Sequence, residues 1–425
     1  MSFASFLERV SDEVEPTKME TENTINEEPD VEPQREVSET QPEVASEIEP
    51  EVEESAPEVE PHVEVNDDFE GMDTPDAKIV VVGTGGAGNN TVTRLVNMGG
   101  AHGADTVCLN TDKQHLKLSK AQKKLLIGYD LTKGLGAGGF PKIGREAAME
   151  SKDDIRDMVR DAHLTFLSTG LGGGTGTGAV PVVAEIAKKE GSIVIGVCTM
   201  PFNMEKARIE KAEEGLIRLR ELADTVIVID NNKLVEYVPD MPLNKAFAVA
   251  DELIATMIRG ISETITKPSL VNLDFADIKS IMSNGGVAMI GVGESNTKNR
   301  AEEAVHDALS HPLLDVDYKG ASGALIHITG GEDLSLSEAT KIGEAVSTNL
   351  DPSAQVIWGA RIDPSFNGKV QVMCILTGVK SPQILGKLPG QTPQSQMAPT
   401  GKTALTPYVP KKPPLLREMN IDYIY

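Results

Sequence analysis

Cysteine is scarce: the 425 residues include three, Cys108, Cys198 and Cys374. They are far apart, lie in apolar runs and have no metal-ligand spacing. A disulfide framework and a cysteine-built metal centre are excluded, and reduced core thiols of a cytosolic protein are expected. No run of about 18 apolar residues occurs, and the first residues lack both the basic and the apolar region of a secretory signal. Direct membrane insertion is therefore not expected, and membrane attachment must come from a partner. The common phosphate-binding loop is missing too. "GKT" at 401–403 has Gln396 where that motif requires its first glycine, so the match is fortuitous.

Basic charge is also short, and the acidic excess sits at one end. The net charge is −25, yet residues 1–77 alone hold 26 acidic residues against three basic ones, Arg9, Lys18 and Arg35. The remainder, with 39 acidic and 37 basic residues, is close to neutral. Repeats such as "EVEPQREV" and "SAPEVEPHVEV" bury little and repel one another, so disorder is expected at 1–77. A chain without a basic footprint is not expected to bind nucleic acid. Two end segments differ from this background. "MSFASFLERV" sets Phe3, Phe6, Leu7 and Val10 on one helical face, and "LLREMNIDYIY" closes the chain at 415–425 after a Pro/Gln/Thr-rich linker at 381–414. Each is a docking segment or an ordinary chain end; the second, with Leu415, Leu416, Ile421 and Ile424, is the one expected to dock.

From residue 78 the pattern becomes α/β. "AKIVVVG" is a β-branched run that leads through glycines into a helical stretch, and short apolar runs follow at "DTVCLN", "LTFLST", "SIVIGVCTM" and "DTVIVID". "DELIATMIRGISETIT", starting at 251, reads as a long amphipathic helix of about four turns. Beyond it, "GVAMIGVGES", "GALIHITGG", "QVIWGARID" and "VQVMCILTGV" read as four strands, with helices near 298–310 and 336–349. The expected organisation is an α/β nucleotide-binding domain at 78–250 with a Rossmann-like parallel sheet and a central helix and connection at 251–271. A smaller α+β domain at 272–380 completes it.

The chemistry is concentrated in glycine. Gly83, Gly85 and Gly88 form G-x-G-x-x-G after a strand, and Asp112 follows 24 positions after Gly88, a weak dinucleotide fingerprint on its own. "STGLGGGTGTGAV" at 168–180 adds six glycines in thirteen positions before a helix expected to start near Ala179, and "GLGAGGF" at 134–140 adds a third cluster. A glycine inside a regular element costs roughly 0.5–1 kcal/mol relative to alanine, so such density marks close backbone approach. Three clusters of backbone N–H donors and a helix N-terminus suit a ligand with several phosphates better than a dinucleotide.

These segments resemble the FtsZ family of the tubulin/FtsZ superfamily. "GGGTGTG" at 172–178 is similar to the superfamily's glycine signature in its FtsZ form. "GTGGAGNN" at 83–90, "LNTD" at 109–112, "GLGAGGFPKIG" at 134–144 and "NLDFADIKSIM" at 272–282 resemble further FtsZ loops in the family's order. The resemblance covers about 78–380. It implies a GTPase that binds GTP and GDP with Mg²⁺ and no metal-ligating residues of its own. It further implies a cytoplasmic protein that polymerises head to tail at the midcell division ring. A filament that controls cell shape is the alternative. By the same resemblance the phosphates fall to Gly85, Gly86, Gly136, Ala137, Gly138, Gly139, Gly172, Gly173, Gly174, Thr175, Gly176, Thr177 and Gly178. Asn89, Asn90, Glu205, Arg208, Asn231, Phe247 and Asp251 would meet base and ribose. Read from the residues alone, Phe247 is a core side chain and Asp251 a solvated helix residue. "PFNMEKARIEKA" departs from the family in lacking a glycine after Glu205 and in placing Arg208 three residues beyond it, which points to an archaeal branch and leaves the role of Arg208 open.

Asn272, Asp274 and Asp277 are implied to be catalytic, entering the nucleotide site of the next subunit. Asp274 and Asp277 are spaced to share a helix face, and capping by Asn272 or Asp274 is the plainer reading of the same residues. A filament without a lipid-binding segment cannot pull on a membrane, so the apolar C-terminal peptide is expected to dock on a membrane-tethering adaptor, with other division proteins as further partners.

Overall fold

The computed structural model describes residues 77–380 except 268, 272, 284, 285 and 311–316. The expected acidic tail (all but its last residue), the linker at 381–414, the terminal peptide at 415–425, the Phe3/Phe6/Leu7 face and Asn272 lie outside the described residues.

The fold is mixed α/β around one ten-stranded sheet in the order β3-β2-β1-β4-β5-β6-β7-β10-β8-β9. The first six strands are β1 (Ile79–Thr84), β2 (Ala104–Asn110), β3 (Lys123–Leu126), β4 (Leu164–Gly170), β5 (Ile193–Met200) and β6 (Thr225–Asp230). All pair in parallel. A central parallel strand is covered on both faces, so its sequence is continuously apolar. In β1 every residue is buried, and alternate side chains enter different cores. Ile79 and Val81 join Ile254, Met257 and Ile258 on one face. Val80 and Val82 join Ala179, Val180 and Val183 on the other.

The helix on that second face spans Thr175–Lys189, four residues earlier than expected. The Thr-Gly-Thr-Gly run is thus the first helical turn and not a loop. The helix expected from 251 is also longer: it spans Leu243–Thr266 and starts directly after Pro242. At 24 residues it is about 36 Å long. It ends beside the amino end of β2, where Thr266 Oγ1 donates to His102 O at 3.3 Å.

The last four strands are β7 (Gly286–Ser295), β8 (Gly323–Gly330), β9 (Gln355–Ile362) and β10 (Val370–Thr377). β10 lies antiparallel between β7 and β8, and β9 runs parallel to β8. Among the described residues β7 joins the parallel part through two pairs, Thr225 with Gly286 and Val226 with Val287. Helices Arg300–Leu309 and Leu336–Ser347 agree with the expected positions. Cys108, Cys198 and Cys374 are free and buried, and burial pushes each thiol up to about 12. Among the described residues no helix is long and apolar enough to cross a membrane.

Candidate functional site

β1 and β4 are neighbours, but the chain leaves them in opposite directions across the sheet, to β2 on one side and β5 on the other. Such a switch point opens a crevice at the carboxyl ends of the strands, where ligands of open α/β sheets bind. The loops after β1 and β4 both open there.

The glycines divide into two groups. Several serve packing of the protein on itself. A Cβ at Gly83 would stand 2.4 Å from Gly88 O, one at Gly88 2.1 Å from Ser168 O, and one at Gly178 1.9 Å from Pro141 O. Gly85, at φ 73°, abuts the Gly176 backbone, and Gly176 abuts Thr169 and Gly170. Gly174 faces Ala137 and the Phe140 backbone. These contacts draw the three clusters together. The third loop is tied further by an isolated bridge between Asp112 and Leu135, and Lys211 Nζ donates to Gly139 O at 2.8 Å. Gly136, Gly138 and Gly139 have φ of 89°, 60° and 75°, a region that side chains disfavour.

Gly173 belongs to the second group: a Cβ there would meet nothing within 4 Å, and its φ is not in the left-handed region. No packing demand accounts for glycine at 173. Around it, the backbone N–H groups from Gly172 to Thr177 have no acceptor among the described residues. Unpaired donors at a helix N-terminus form an anion cradle. The Thr175 hydroxyl already pairs with Thr111 Oγ1 at 2.7 Å. Thr177 is 3 % exposed, and its methyl lies where a Gly215 Cβ would be. Its Oγ1 is buried with no hydrogen-bond partner among the described residues, so a ligand can meet both its hydroxyl and its N–H.

The expected base residues converge from four segments. Asp251 accepts from Thr91 Oγ1 at 2.7 Å, which joins the long helix to helix Gly85–Asn97. The Phe247 ring is 39 % exposed and lies 5.8 Å from that of Phe202. Asn89 is fully buried, yet neither its Oδ1 nor its Nδ2 has a partner, and Asn231 Oδ1 is likewise buried and unpaired. Buried polar groups are ordinarily satisfied, so these mark where an external partner fits. Asn90 is exposed. Burial raises the Asp251 carboxyl to about 7, against the opposing effects of the Thr91 bond and the Arg94 charge. Glu205 accepts from Phe202 N at 3.1 Å and pairs with Arg208 Nη1 at 2.6 Å. The three-residue spacing thus turns Arg208 onto Glu205, while its backbone packs beside Gly172.

Asp112 serves as a helix cap. Its carboxylate accepts from Gln114 N and His115 N and caps helix Lys113–Leu118. That helix sets His115 beside the site, with Nε2 3.7 Å from where a Gly86 Cβ would lie. Asn110 Nδ2 stands 3.5 Å from His115 Nδ1. Neither His115 nor Thr91 bears a motif that would single it out.

Asp274 and Asp277 are not in this crevice. Asp274 is the N-cap of helix Phe275–Met282 and not on its face: its Oδ1 accepts from Asp277 N at 2.8 Å, and Asp277 Oδ2 accepts from Asp274 N at 3.1 Å. This reciprocal pair is a capping box. The helix lies along the amino ends of the strands. Phe275 meets the ring of His163, just before β4, and the first residue of β6, Thr225, donates to Met282 O at 2.7 Å. Strand β4, seven residues long, separates the two edges by about 20 Å. The carboxylates therefore cannot approach phosphates held at the other edge of the same chain.

Residues 78–239 match the Tubulin/FtsZ family, GTPase domain, and residues 286–380 match the FtsZ family, C-terminal domain. Over 315 residues the chain is 59 % identical to the Cell division protein FtsZ 2 of Methanocaldococcus jannaschii, covering 73 % of this chain and 83 % of that one. A solved structure described as an empty FtsZ dimer of M. jannaschii superposes with a TM-score of 0.68 at 52 % identity, covering 76 % of this chain and 97 % of the other. A protofilament of CetZ2 from Haloferax volcanii with GTPγS bound has a TM-score of 0.63 over 72 % of this chain and 95 % of its own. At 23 % identity it shows a shared fold.

Proposed function

The chain belongs to the FtsZ family, the cell-division GTPases of the tubulin superfamily, and from that premise we propose that it polymerises head to tail with hydrolysis coupled to assembly. The FtsZ-type C-terminal region and the 59 % identical division protein favour division over control of cell shape. On this reading the filament works in the cytoplasm at the midcell division ring. The C-terminal peptide at 415–425 would bind a membrane-tethering adaptor, and other division proteins would join it there. The boundaries 78–250, 251–271 and 272–380 remain our division of the folded part.

The phosphates would lie against the N–H groups of Gly172 to Thr177, with the loops at Gly85–Gly86 and Gly136–Gly139 closing on either side. Guanine offers an N1–H and a 2-amino group, and the two oxygens of an ionised Asp251 can accept both. Phe247 would cover the ring face, Asn89 and Asn231 would gain the partners they lack, and Glu205 would reach the ribose. Mg²⁺ would balance phosphate charge and be held mainly by the phosphates.

The observation that carries the shared active site is the opposition of the two edges. A second subunit stacked amino edge on carboxyl edge would bring Asp274 and Asp277 over the γ-phosphate of its neighbour. There a carboxylate can accept a hydrogen bond from water and aim the oxygen at phosphorus. The P–O bond to the β-phosphate then breaks as the new P–O bond forms, and water's proton passes to the released phosphate. A contact between unlike surfaces does not close, so it propagates a filament. Sedimentation of the full chain with GTP, GDP or neither tests the reading: pelleting with GTP alone, and its decay as phosphate appears, is expected. Equal pelleting under all three conditions would refute the coupling.

A further inference from the structure

A second concave surface lies away from the nucleotide crevice. It encloses about 860 Å³ between the end of helix Gly85–Asn97, the start of β2 and the connection into β3. Its apolar lining includes Val96, Ala104 and Leu118, the last 82 % exposed, and Lys117, Lys120 and Lys124 stand around it. Lys120 Nζ donates to Asn97 Oδ1 and Lys124 Nζ to Lys117 O, both neutral acceptors. Among the described residues no carboxylate is ion-paired with any of these three ammonium groups. The groove thus combines uncompensated positive charge with an apolar floor, in a folded part, 78–380, that holds 37 acidic against 32 basic residues.

We propose that the acidic N-terminal segment of the same chain, centred on residues 56–66, occupies this groove. Three observations select it. The first is charge, because residues 1–77 carry 26 acidic side chains against three basic ones. The second is pattern. In "APEVEPHVEVN", Val59, Val63 and Val65 alternate with Glu58, Glu60 and Glu64, so an extended backbone turns valines to an apolar floor and glutamates to a lysine rim. The third is position. The segment leads into β1, and Ile79 pairs with Ala104, a residue of the groove lining. Val65 lies twelve positions before Ala77, a stretch that can span up to about 40 Å, so the groove is within reach. A tether this short gives an effective concentration in the mM range, so even weak pairing would be populated. Occupancy should fall with salt, because exposed charges are screened beyond about 8 Å at physiological ionic strength.

Zero-length carbodiimide coupling tests this on the full-length chain, without nucleotide and at low salt, with peptide mapping of the products. A mixture of isotope-labelled and unlabelled chains separates coupling within a chain from coupling between chains. Glu58, Glu60 and Glu64 should couple within the chain to Lys117, Lys120 and Lys124 at least threefold more than to other exposed lysines, and 0.5 M salt should remove that preference. The triple variant Lys117→Gln, Lys120→Gln, Lys124→Gln should not couple the segment to this face. Val63→Asp with Val65→Asp adds negative charge, yet should reduce coupling because the apolar contacts are lost. Coupling without preference for these lysines, coupling chiefly between chains, or undiminished coupling in the valine variant would each overturn the proposal.

Discussion

Gly173 and Gly174 are adjacent, and their substitutions should fail differently. A methyl at Gly174 would meet Ala137 Cβ and Phe140 N at 2.9 Å, so Gly174→Ala forces two loops apart and should lower stability by about 1–3 kcal/mol. A methyl at Gly173 meets no protein atom, so Gly173→Ala should melt as the wild type does and still bind GTP at least about tenfold more weakly, near 1.4 kcal/mol. Thermal melts beside a nucleotide titration check both. The density of glycine was legible in the sequence as a site; which glycines face a ligand was not, because that depends on what stands opposite each Cα. Asp251 supplies a second test. Its carboxyl titrates at about 7, raised chiefly by burial, and only the ionised form offers guanine two acceptors. Below that value binding must expel a proton, so affinity should fall by up to about tenfold per pH unit as pH drops. Stability runs the other way: the folded state prefers the protonated carboxyl, so this contribution is complete below about 3.8 and lost as pH rises through about 7. GDP titrations from pH 5.5 to 8.5 should show the slope, and Asp251→Asn should bind weakly without it. A wild-type affinity independent of pH would remove Asp251 from the base site.

Among the elements, helix Phe275–Met282 starts at a capping pair to which the proposed function gives a second role. Capping by Asn272 or Asp274 was the plainer reading of this loop; Asp274 does cap, Asp277 completes the reciprocal pair, and Asp274 is exposed at the surface. Alanine at Asp274 confounds the roles, since losing a cap costs about 0.5–2 kcal/mol. Asparagine caps about as well as aspartate but has no carboxylate. Asp274→Asn should therefore keep the melting temperature and nucleotide affinity while phosphate release falls by a factor of ten or more. Turnover at the wild-type rate would leave capping as its sole role. The strands of the parallel core were legible because burial on both faces demands unbroken apolar runs, as in "IVVVGT". β3 was not, because its first residues, Lys123 and Lys124, are exposed at the sheet edge and give "KKLL" no strand pattern. Helix starts were hidden for a related reason. Thr175–Gly178 has poor helix propensity, and its placement is decided by contacts with Thr169, Pro141 and Gly215 that lie far off in sequence.

For the whole molecule, the decisive feature is polarity: cradle at one edge of the sheet, carboxylates at the other. The motif order gave both sets of residues, and their separation follows from a helix about 36 Å long that returns the chain across the sheet. The account stands or falls on whether one active site is built from two chains. Two variants, each defective in turnover alone, test it most directly: one with the cradle blocked by Gly173→Trp and both aspartates intact, the other with an intact cradle and Asp274→Asn. Phosphate release is measured at fixed total protein while their ratio is varied, with sedimentation confirming that they co-assemble. The account predicts that the mixture regains GTP turnover, with a maximum at an intermediate ratio, because each junction of an intact cradle with an intact carboxylate pair is a complete site. Co-assembly without turnover above that of the separate variants at every ratio would contradict it.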